Sequence, residues 1–309
     1  MRTLVTGATG FVGRHLCRLL ESRGIEVVAI SQGSDEALNI DIRDRDAVIG
    51  VFKETRPDNV VHLAAVAYVP EANADPGLAD AVNRGGTVNV LDGACEVGAR
   101  SLFVSSGAAY GSVLSEDLPI VETQPLGASD SYGLSKVAAE EECVSRQGSQ
   151  GIIRVRPFNH TGPGQSPQYV CSDFALQLVK AESGLRDARI EVGDLRAERD
   201  FSDVRDVVRA YVSLLEDGED GEVYNVCSGA ATPIQSVLDM LIEQVAVPVE
   251  VAVQSERLRP GEVSRAYGSY DKIHRATGWT PNIMLRDTLG ELLESWREQL
   301  AADQAGALG

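Results

Sequence analysis

Tyr132 and Lys136 are the pair of residues whose types and spacing most directly suggest chemistry. They stand four positions apart in the stretch Ser131-Tyr-Gly-Leu-Ser-Lys136, so a helix would place both side chains on one face, with β-carbons about 6 Å apart. An ammonium group at that distance stabilises a tyrosinate and should lower the phenol pKa from its usual value of about 10, so that the phenol can exchange a proton near neutral pH. The same spacing also occurs by chance on helix surfaces, with an exposed Tyr over a solvated Lys, so the rest of the chain must decide.

A glycine-rich turn predicts a dinucleotide site. Thr3–Thr6 predicts a strand and Phe11–Arg23 a helix, and the junction reads Gly7-x-x-Gly10-x-x-Gly13. In this setting Gly7 permits a tight turn, Gly10 lets the backbone approach a pyrophosphate, and Gly13 lets helix and strand pack closely. The helix N-terminus then faces the phosphates. A purely structural turn is the other interpretation.

The end of the second predicted strand bears on the choice of cofactor. Strand Glu26–Ile30 is followed by Ser31, where an NAD-type fingerprint would place Asp or Glu against the ribose hydroxyls. No carboxylate there repels a 2′-phosphate and no arginine there grips one. We therefore expect either NADP(H) or NAD(H) to be used.

Two later strand ends point to the same cleft. The predicted strand Asn59–Leu63 runs into Ala64 and Ala65, small residues against which a flat cofactor can lie. Ser106 follows the predicted strand Arg100–Val104, and a hydroxyl at the carboxyl end of a central strand lies over the ligand crevice of a parallel sheet. Ser106 could alternatively cap a turn.

The order of predicted elements favours an α/β fold. A helix predicted over Leu78–Val97 and one over Ser131–Arg146, begun by N-cap candidates such as Asp130, extend a βαβαβαβ alternation. That alternation predicts a doubly wound parallel sheet. We interpret His62 as a packing residue, and we expect residues 301–309 to be a frayed tail.

Composition narrows the possible partners. The chain has 309 residues and a net charge of −18, which disfavours nucleic acid or an anionic membrane as a partner. Its five cysteines are scattered, without a C-x-x-C pair, and indicate reduced cytosolic thiols; no residue pattern suggests a metal site. With no signal segment and no apolar run long enough to span a bilayer, we expect a cytoplasmic protein.

Taken together, the motifs resemble those of extended short-chain dehydrogenase/reductases that modify nucleotide sugars. The similarity is greatest to the reductases of GDP-4-keto-6-deoxy-D-mannose. The stretches that carry it are Gly7-x-x-Gly10-x-x-Gly13, Asp41-Ile42, Ala64-Ala65, Ser106, Tyr132-x-x-x-Lys136, Arg156-Pro157-Phe158-Asn159, Glu198-Arg-Asp-Phe201, Val223-Tyr-Asn-Val-Cys-Ser-Gly229 and Leu258-Arg-Pro-Gly-Glu262.

The resemblance implies a Rossmann-type sheet with a smaller C-terminal α/β substrate domain. Residues 1–157 and 200–228 would form the dinucleotide-binding domain, and 158–199 and 229–309 the nucleotide-sugar-binding domain. It also implies a homodimer packed through a four-helix bundle that includes the Tyr132 helix, and a GDP-sugar as substrate.

The resemblance also assigns roles. Ser106, Tyr132 and Lys136 would be catalytic. The residues implied to bind cofactor are Gly7, Gly10, Phe11, Val12, Gly13, Ser31, Asp41, Ile42, Leu63, Ala64, Ala65, Tyr132, Lys136, Pro157 and Phe158. The residues implied to bind substrate are Ser106, Asn159, Arg199, Arg259 and Glu262.

The expected reaction is hydride transfer from the nicotinamide to carbon 4 of a keto sugar. Tyr132 would donate the proton and Ser106 would position the oxygen. Related 4,6-dehydratases carry an acidic residue two positions after the catalytic Ser or Thr, but here Gly107 and Ala108 follow Ser106, which disfavours dehydration. A nucleotide-sugar 4-epimerase remains the alternative, and a non-catalytic nucleotide-sugar sensor is a less favoured third possibility.

Overall fold

The structure, a computed structural model, describes residues 1–254, 257 and 265–306. Its strands are β1 (Arg2–Thr6), β2 (Glu26–Ser31), β3 (Leu38–Asn39), β4 (Asn59–His62), β5 (Arg100–Val104), β6 (Ile152–Pro157), β7 (Asn159–Thr161), β8 (Arg189–Val192), β9 (Glu198–Arg199), β10 (Phe201–Asp203), β11 (Val223–Val226), β12 (Thr232–Pro233), β13 (Glu250–Val253) and β14 (Arg265–Ala266). Its α-helices are α1 (Phe11–Ser22), α2 (Arg45–Thr55), α3 (Val69–Ala74), α4 (Pro76–Asp80), α5 (Gly86–Val97), α6 (Ser131–Ser145), α7 (Val170–Glu182), α8 (Val204–Asp217), α9 (Ile234–Ile242), α10 (Asp271–Thr277) and α11 (Leu285–Gly306).

Seven strands form one parallel sheet in the order β11-β6-β5-β4-β1-β2-β3. The chain runs outward from β1 through β2 and β3, then returns to β4 and continues the other way. The doubly wound fold class predicted from the sequence is therefore confirmed. In such sheets the ligand crevice lies where the strand order reverses, here between the carboxyl ends of β1 and β4.

Burial explains why these segments form strands and helices. Leu4 and Val5 in β1 are both fully buried, since helices cover both faces of the sheet. In α1 only one stripe is buried, which includes Leu16 and Leu20 and faces the sheet. Helix α6 begins as predicted, because the Asp130 carboxylate accepts a hydrogen bond from the Gly133 N–H at 2.9 Å.

The apolar core is divided between the sheet and the C-terminal segments. One cluster packs sheet residues such as Val104 against α1 and α8, and also takes in Trp279. A second cluster joins α7, α9 and α11 around residues such as Phe174 and Leu238. The remaining short strands, in two- and three-stranded sheets, lie among the segments that follow β6.

Two predicted elements differ from the structure. The helix predicted over Leu78–Val97 is interrupted by a π-helical turn at Ala81–Gly85. The expected tail is also wrong, since α11 extends to Gly306 and residues 307–309 lie outside the described part. Alanine-rich sequence continues the helix, and Arg297 anchors it through an ion pair with Glu182 at 2.8 Å. Among the described helices, none is both long and apolar enough to cross a membrane.

Candidate active site

A cleft with a volume of about 1670 Å³ runs along the carboxyl ends of the central strands. It brings together nearly all of the predicted site residues. Those that line it are Gly7, Gly10, Phe11, Val12, Gly13, Ser31, Asp41, Ile42, Leu63, Ala64, Ala65, Ser106, Tyr132, Lys136, Pro157, Phe158, Asn159 and Arg199. Arg259 and Glu262 lie outside the described residues.

The turn after β1 requires glycine for steric reasons. Gly7 has φ +69°, a left-handed conformation, and a β-carbon there would lie 2.9 Å from the backbone nitrogen of Ala64. At Gly13 a β-carbon would lie 2.2 Å from the Gly7 carbonyl oxygen. Gly10 stands at the N-terminus of α1, whose positive dipole end suits a phosphate. The turn therefore fits the diphosphate of a dinucleotide.

The far end of the cleft carries more polar groups than the sequence suggested. The Ser31 and Thr9 hydroxyls lie 2.6 Å apart in a mutual hydrogen bond. The segment directly after β2 contains no arginine, but Arg43 also lines the cleft. Its guanidinium Nε lies 3.0 Å from an Asp41 carboxylate oxygen, and this hydrogen bond lowers the pKa of Asp41. Both hydroxyl and guanidinium groups are thus available to a ribose or its phosphate.

Tyr132 and Ser106 meet at the floor of the cleft. Burial raises the pKa of Tyr132 to about 12, and a hydrogen bond with Ser106 opposes this rise. The predicted lowering of the phenol pKa is therefore wrong for this structure, because desolvation of the tyrosinate outweighs stabilisation by neighbouring groups. The phenol is instead held as a proton donor.

Lys136 lies on the same helix but directs its ammonium group at the sheet. Its Nζ donates a hydrogen bond to the Val104 carbonyl oxygen at 2.9 Å and stands 5.4 Å from the centre of the Phe103 ring. Burial lowers the pKa of Lys136 to about 8, while the nearby Glu140 carboxylate raises it. The ammonium is therefore in a position where it can lose its proton at mildly alkaline pH.

A buried ion pair joins α6 to β6. Glu140 and Arg156 form a forked pair, with a closest distance of 2.7 Å, and both side chains are almost fully buried. Glu140 also accepts a hydrogen bond from the Ser105 hydroxyl at 2.5 Å. Glu140 was missed in the sequence, although its position four residues after Lys136 puts it on the same helix face.

Asn83, also missed, joins the cleft wall to α6. Its side-chain amide accepts from the Val66 N–H at 2.8 Å, donates to the Val66 carbonyl at 3.1 Å, and donates to the Ser135 hydroxyl at 2.8 Å. Ser135 in turn donates to the Tyr132 carbonyl at 2.7 Å. Asn83 sits within the π-helical turn, a feature that often marks functional sites. No local sequence signal identifies it.

His62 belongs to the same network. Its Nδ1 lies 2.7 Å from the Thr6 hydroxyl and its Nε2 lies 3.0 Å from the Thr87 hydroxyl. Since Thr87 donates its proton to the Asn83 carbonyl, Thr87 must accept from a protonated Nε2. Burial lowers the pKa of His62 to about 3, so the ring stays neutral. This placement agrees with the interpretation of His62 as a packing residue.

The residues after Ser106 offer no group for proton transfer. Gly107 and Ala108 begin a short 3₁₀ turn and line the cleft. The Ala108 N–H donates to the Ser106 hydroxyl oxygen at 3.1 Å, and a β-carbon on Gly107 would lie 3.3 Å from the Phe158 ring. The turn therefore orients Ser106 but contributes no acid.

The other wall of the cleft is assembled from distant segments. Asn159 in β7 pairs with Phe201 in β10, and Arg199 in β9 lies between β12 and β14. Between β9 and β10, the buried Asp200 accepts backbone hydrogen bonds from Ser228 at 2.7 Å and Gly268 at 3.2 Å. This carboxylate therefore fixes the wall on which Arg199 stands.

Comparison with known proteins indicates what such a site does elsewhere. A model of the NAD dependent epimerase/dehydratase family matches residues 3–227. The GDP-6-deoxy-D-mannose reductase of Pseudomonas aeruginosa is 37% identical over 303 residues, which cover 97% of this chain and 98% of that protein.

Solved structures show the same likeness. RMD from Pseudomonas aeruginosa, complexed with NADPH, superposes with a TM-score of 0.88 and 36% identity over 96% of this chain and 99% of that one. The UDP-glucose 4-epimerase of Thermus thermophilus, in complex with NAD, has a TM-score of 0.86 and 30% identity, over 96% of this chain and 99% of that one.

Proposed function

This chain belongs to the NAD-dependent epimerase/dehydratase family, and from that membership we propose that it is an NAD(P)H-dependent reductase acting on a nucleotide sugar. The reaction is reduction of the 4-keto group of a GDP-4-keto-6-deoxy-hexose. The substrate is GDP-4-keto-6-deoxy-D-mannose, and the product is GDP-D-rhamnose or its 4-epimer. The enzyme would serve deoxysugar biosynthesis.

The observation that carries this proposal is the likeness, over nearly both full lengths, to a GDP-6-deoxy-D-mannose reductase. The cleft adds chemical support. Ser106, Tyr132 and Lys136 all line it, whereas Gly107 and Ala108 cannot exchange the additional protons that dehydration requires. A proton donor without a second acid suits reduction.

The chain's own residues account for the proton transfer. When bound, the nicotinamide supplies the hydride. Tyr132 donates its phenolic proton to the oxygen at carbon 4, and its raised pKa keeps that proton in place until negative charge develops. Ser106 hydrogen-bonds the same oxygen and orients it. Lys136 would hold the nicotinamide ribose, and the Gly7–Gly13 turn would hold the diphosphate.

The nucleotide of the substrate would bind at the wall formed after β6. Asn159 and Arg199 line the cleft there, and Arg259 and Glu262 complete the proposed set from outside the described residues. Arginine suits a diphosphate because its planar guanidinium makes paired hydrogen bonds, and a carboxylate suits ribose hydroxyls. A local arginine cluster is needed because the whole chain carries a charge of −18.

We extend the proposal to domain organisation. Residues 1–157 and 200–228 form the dinucleotide-binding domain, and 158–199 and 229–309 form the nucleotide-sugar-binding domain. The separate apolar clusters of the sheet and of the C-terminal helices support this division. The packing of Trp279 into the sheet cluster fastens the second domain to the first.

We also propose a homodimer and a cytoplasmic location. Helices α5 and α6 pack side by side, and α6 exposes the apolar side chains of Leu134 and Val144. Pairing these two helices with those of a second copy would form a four-helix bundle. All five cysteines are free, as is usual in a reducing compartment.

A 4-epimerase is the second candidate. The likeness to a UDP-glucose 4-epimerase complexed with NAD favours it, because epimerisation uses the same hydroxyl and amine groups. The two reactions differ in stoichiometry, since a reductase consumes one cofactor per sugar and an epimerase regenerates its own.

The decisive experiment mixes the protein with GDP-4-keto-6-deoxy-D-mannose and NADPH or NADH, and identifies the product sugar by NMR. We expect a 6-deoxy sugar reduced at carbon 4, formed in step with cofactor oxidation. Tyr132→Phe is the matched control and should yield little product. A second assay supplies UDP-glucose in place of the keto sugar. Its interconversion with UDP-galactose without net cofactor consumption would instead establish the epimerase.

A further inference from the structure

The Glu140 carboxylate lies close to the candidate active site but outside its cleft. Its side chain is 3% exposed, and that of its partner Arg156 is 6% exposed. Neither residue lines the cleft, so neither is placed to touch a ligand there. A buried ion pair is often no more stabilising than well-packed apolar side chains of the same volume, so stability alone does not account for this pair.

Two hydrogen bonds join one face of α6 to the carboxyl end of β5. The residues on this face of α6 follow one another at i, i+4 spacing: Tyr132, Lys136 and Glu140. The Lys136 ammonium donates to the Val104 carbonyl oxygen at 2.9 Å. One residue further along the strand end, the Ser105 hydroxyl donates to the Glu140 carboxylate at 2.5 Å. Together these two bonds fix the position of the helix along the strand end.

Ser105 and Ser106 point to different sides of the chain at this strand end. Residues of an extended chain alternate in direction, so Ser105 shares its side with Phe103, which belongs to one apolar cluster with Ala139 of α6. Ser106 is itself extended, with φ −161° and ψ 149°, and lines the cleft together with Tyr132. The hydroxyl bound by α6 and the hydroxyl available to a ligand thus belong to adjacent residues.

The carboxylate is held toward Ser105 because Arg156 grips it from the side of β6. The guanidinium Nε donates to one oxygen of Glu140 at 2.9 Å, and Nη2 donates to the other at 2.7 Å. Arg156 is held in turn by the Tyr110 hydroxyl, which accepts from it at 3.0 Å and donates to the Asn225 side-chain oxygen at 2.7 Å. Glu140 is therefore a fixed point between α6, β5 and β6.

We infer that Glu140 is a positioning residue which, by holding Ser105, sets the Ser106 hydroxyl beside the Tyr132 phenol. The inference rests on the proposed function, in which Ser106 and Tyr132 act on the same substrate oxygen. It adds a reason why the two groups converge, although one stands on a strand end and the other on a helix. Accurate placement matters because a displacement of about 1 Å can cost about a hundredfold in rate.

The test removes the Ser105 hydroxyl, because neutralising Glu140 would leave the buried Arg156 guanidinium unpaired and endanger folding. Ser105→Ala, Ser106→Ala and the double variant are compared with wild type for kcat and KM with GDP-4-keto-6-deoxy-D-mannose and NADPH. Ser105→Ala should lower kcat about tenfold and leave both KM values within about twofold of wild type. In the Ser106→Ala background the same change should lower kcat no further, because its effect passes through Ser106.

Ser101→Ala is the matched control. Ser101 is a buried serine of the same strand that does not line the cleft, and its hydroxyl accepts from the Gln150 side-chain amide at 3.3 Å. Its loss should leave kcat unchanged, and melting temperatures report folding in every variant.

Wild-type kcat in Ser105→Ala would overturn the inference. So would an equal loss of kcat from Ser105→Ala with and without the Ser106 hydroxyl, since the effect would then be independent of Ser106. A comparable loss in Ser101→Ala would overturn it as well, because any buried hydroxyl of β5 would then matter equally. Absence of turnover by the wild-type protein would instead overturn the proposed function, and the inference with it.

Discussion

The two walls of the cleft are built in different ways. The wall that we assign to the cofactor, called here the cofactor wall, consists of short contiguous stretches, such as Gly7–Gly13 and Leu63–Ala65, each directly after a strand of one parallel sheet. The wall that we assign to the substrate, called here the substrate wall, consists of two- and three-residue strands whose partners are far away in sequence, for example Arg199 beside Thr232. Local spacing therefore specifies the first wall, whereas the second exists only once the chain has folded.

The largest expected effect tests the catalytic centre of the cofactor wall. Tyr132→Phe keeps the ring and removes the proton donor, so kcat should fall by about a hundredfold to ten-thousandfold, the range typical of general acid catalysis. Substrate affinity should change little, because the proton is needed mainly in the transition state. Steady-state kinetics checks this, with circular dichroism as the control for folding. Near-normal reduction by the variant would show that the proton comes from another group.

The next effect tests whether the substrate wall is a nucleotide site. Arg199→Ala should weaken GDP binding by about 1.5–3 kcal/mol if its guanidinium hydrogen-bonds the diphosphate. Calorimetric titration with GDP measures this. Arg196→Ala is the matched control, because Arg196 is 90% exposed and pairs with Asp194, so its loss should leave GDP affinity unchanged. Equal GDP dissociation constants for wild type and Arg199→Ala would show that the Arg199 guanidinium does not bind the diphosphate.

The pH dependence of kcat/KM should distinguish Lys136 from Tyr132, two titratable groups of the same wall. The pKa of Lys136 is about 8 and that of Tyr132 about 12, so on raising the pH the lysine loses its charge first, while the phenol keeps its proton. We expect kcat/KM for NADPH, which reports the free enzyme, to fall as pH rises through about 8. Lys136→Met should abolish this step. A decline that persists in Lys136→Met would assign it to another group.

The smallest expected effect concerns the end of the cofactor wall near Ser31. With no carboxylate at this position and with Arg43 close to Asp41, NADPH and NADH should differ in kcat/KM by less than about tenfold, or about 1.4 kcal/mol. Ser31→Asp should shift the preference toward NADH by repelling the 2′-phosphate. A thousandfold preference of the wild type for NADH would show that the ribose binds elsewhere.

Sequence reasoning reached some groups of this site and not others for identifiable reasons. The glycine turn and the Tyr132–Lys136 pair are local patterns, so their elements could be predicted, and Glu140 could have been found by extending the same helical spacing. The pKa of Tyr132 could not be predicted from the sequence, because it depends on burial of the phenol in the folded protein. Asn83 gives no local signal either, because its side chain acts through hydrogen bonds to Val66 and Ser135, which are distant in the sequence.

The π-helical turn at Ala81–Gly85 has a consequence for how this part of the chain can vary. Such a turn holds an extra residue compared with an α-helical one, and each residue of an α-helix corresponds to a rotation of about 100°. Deleting one residue here would restore regular helix and turn Asn83 away from Val66, or Thr87 away from His62. Substitutions on the exposed side of the turn would leave both contacts in place. The number of residues in this turn is therefore constrained as well as the identity of Asn83. Relatives that have gained or lost a residue here should lack the hydrogen bonds that join Val66 to α6.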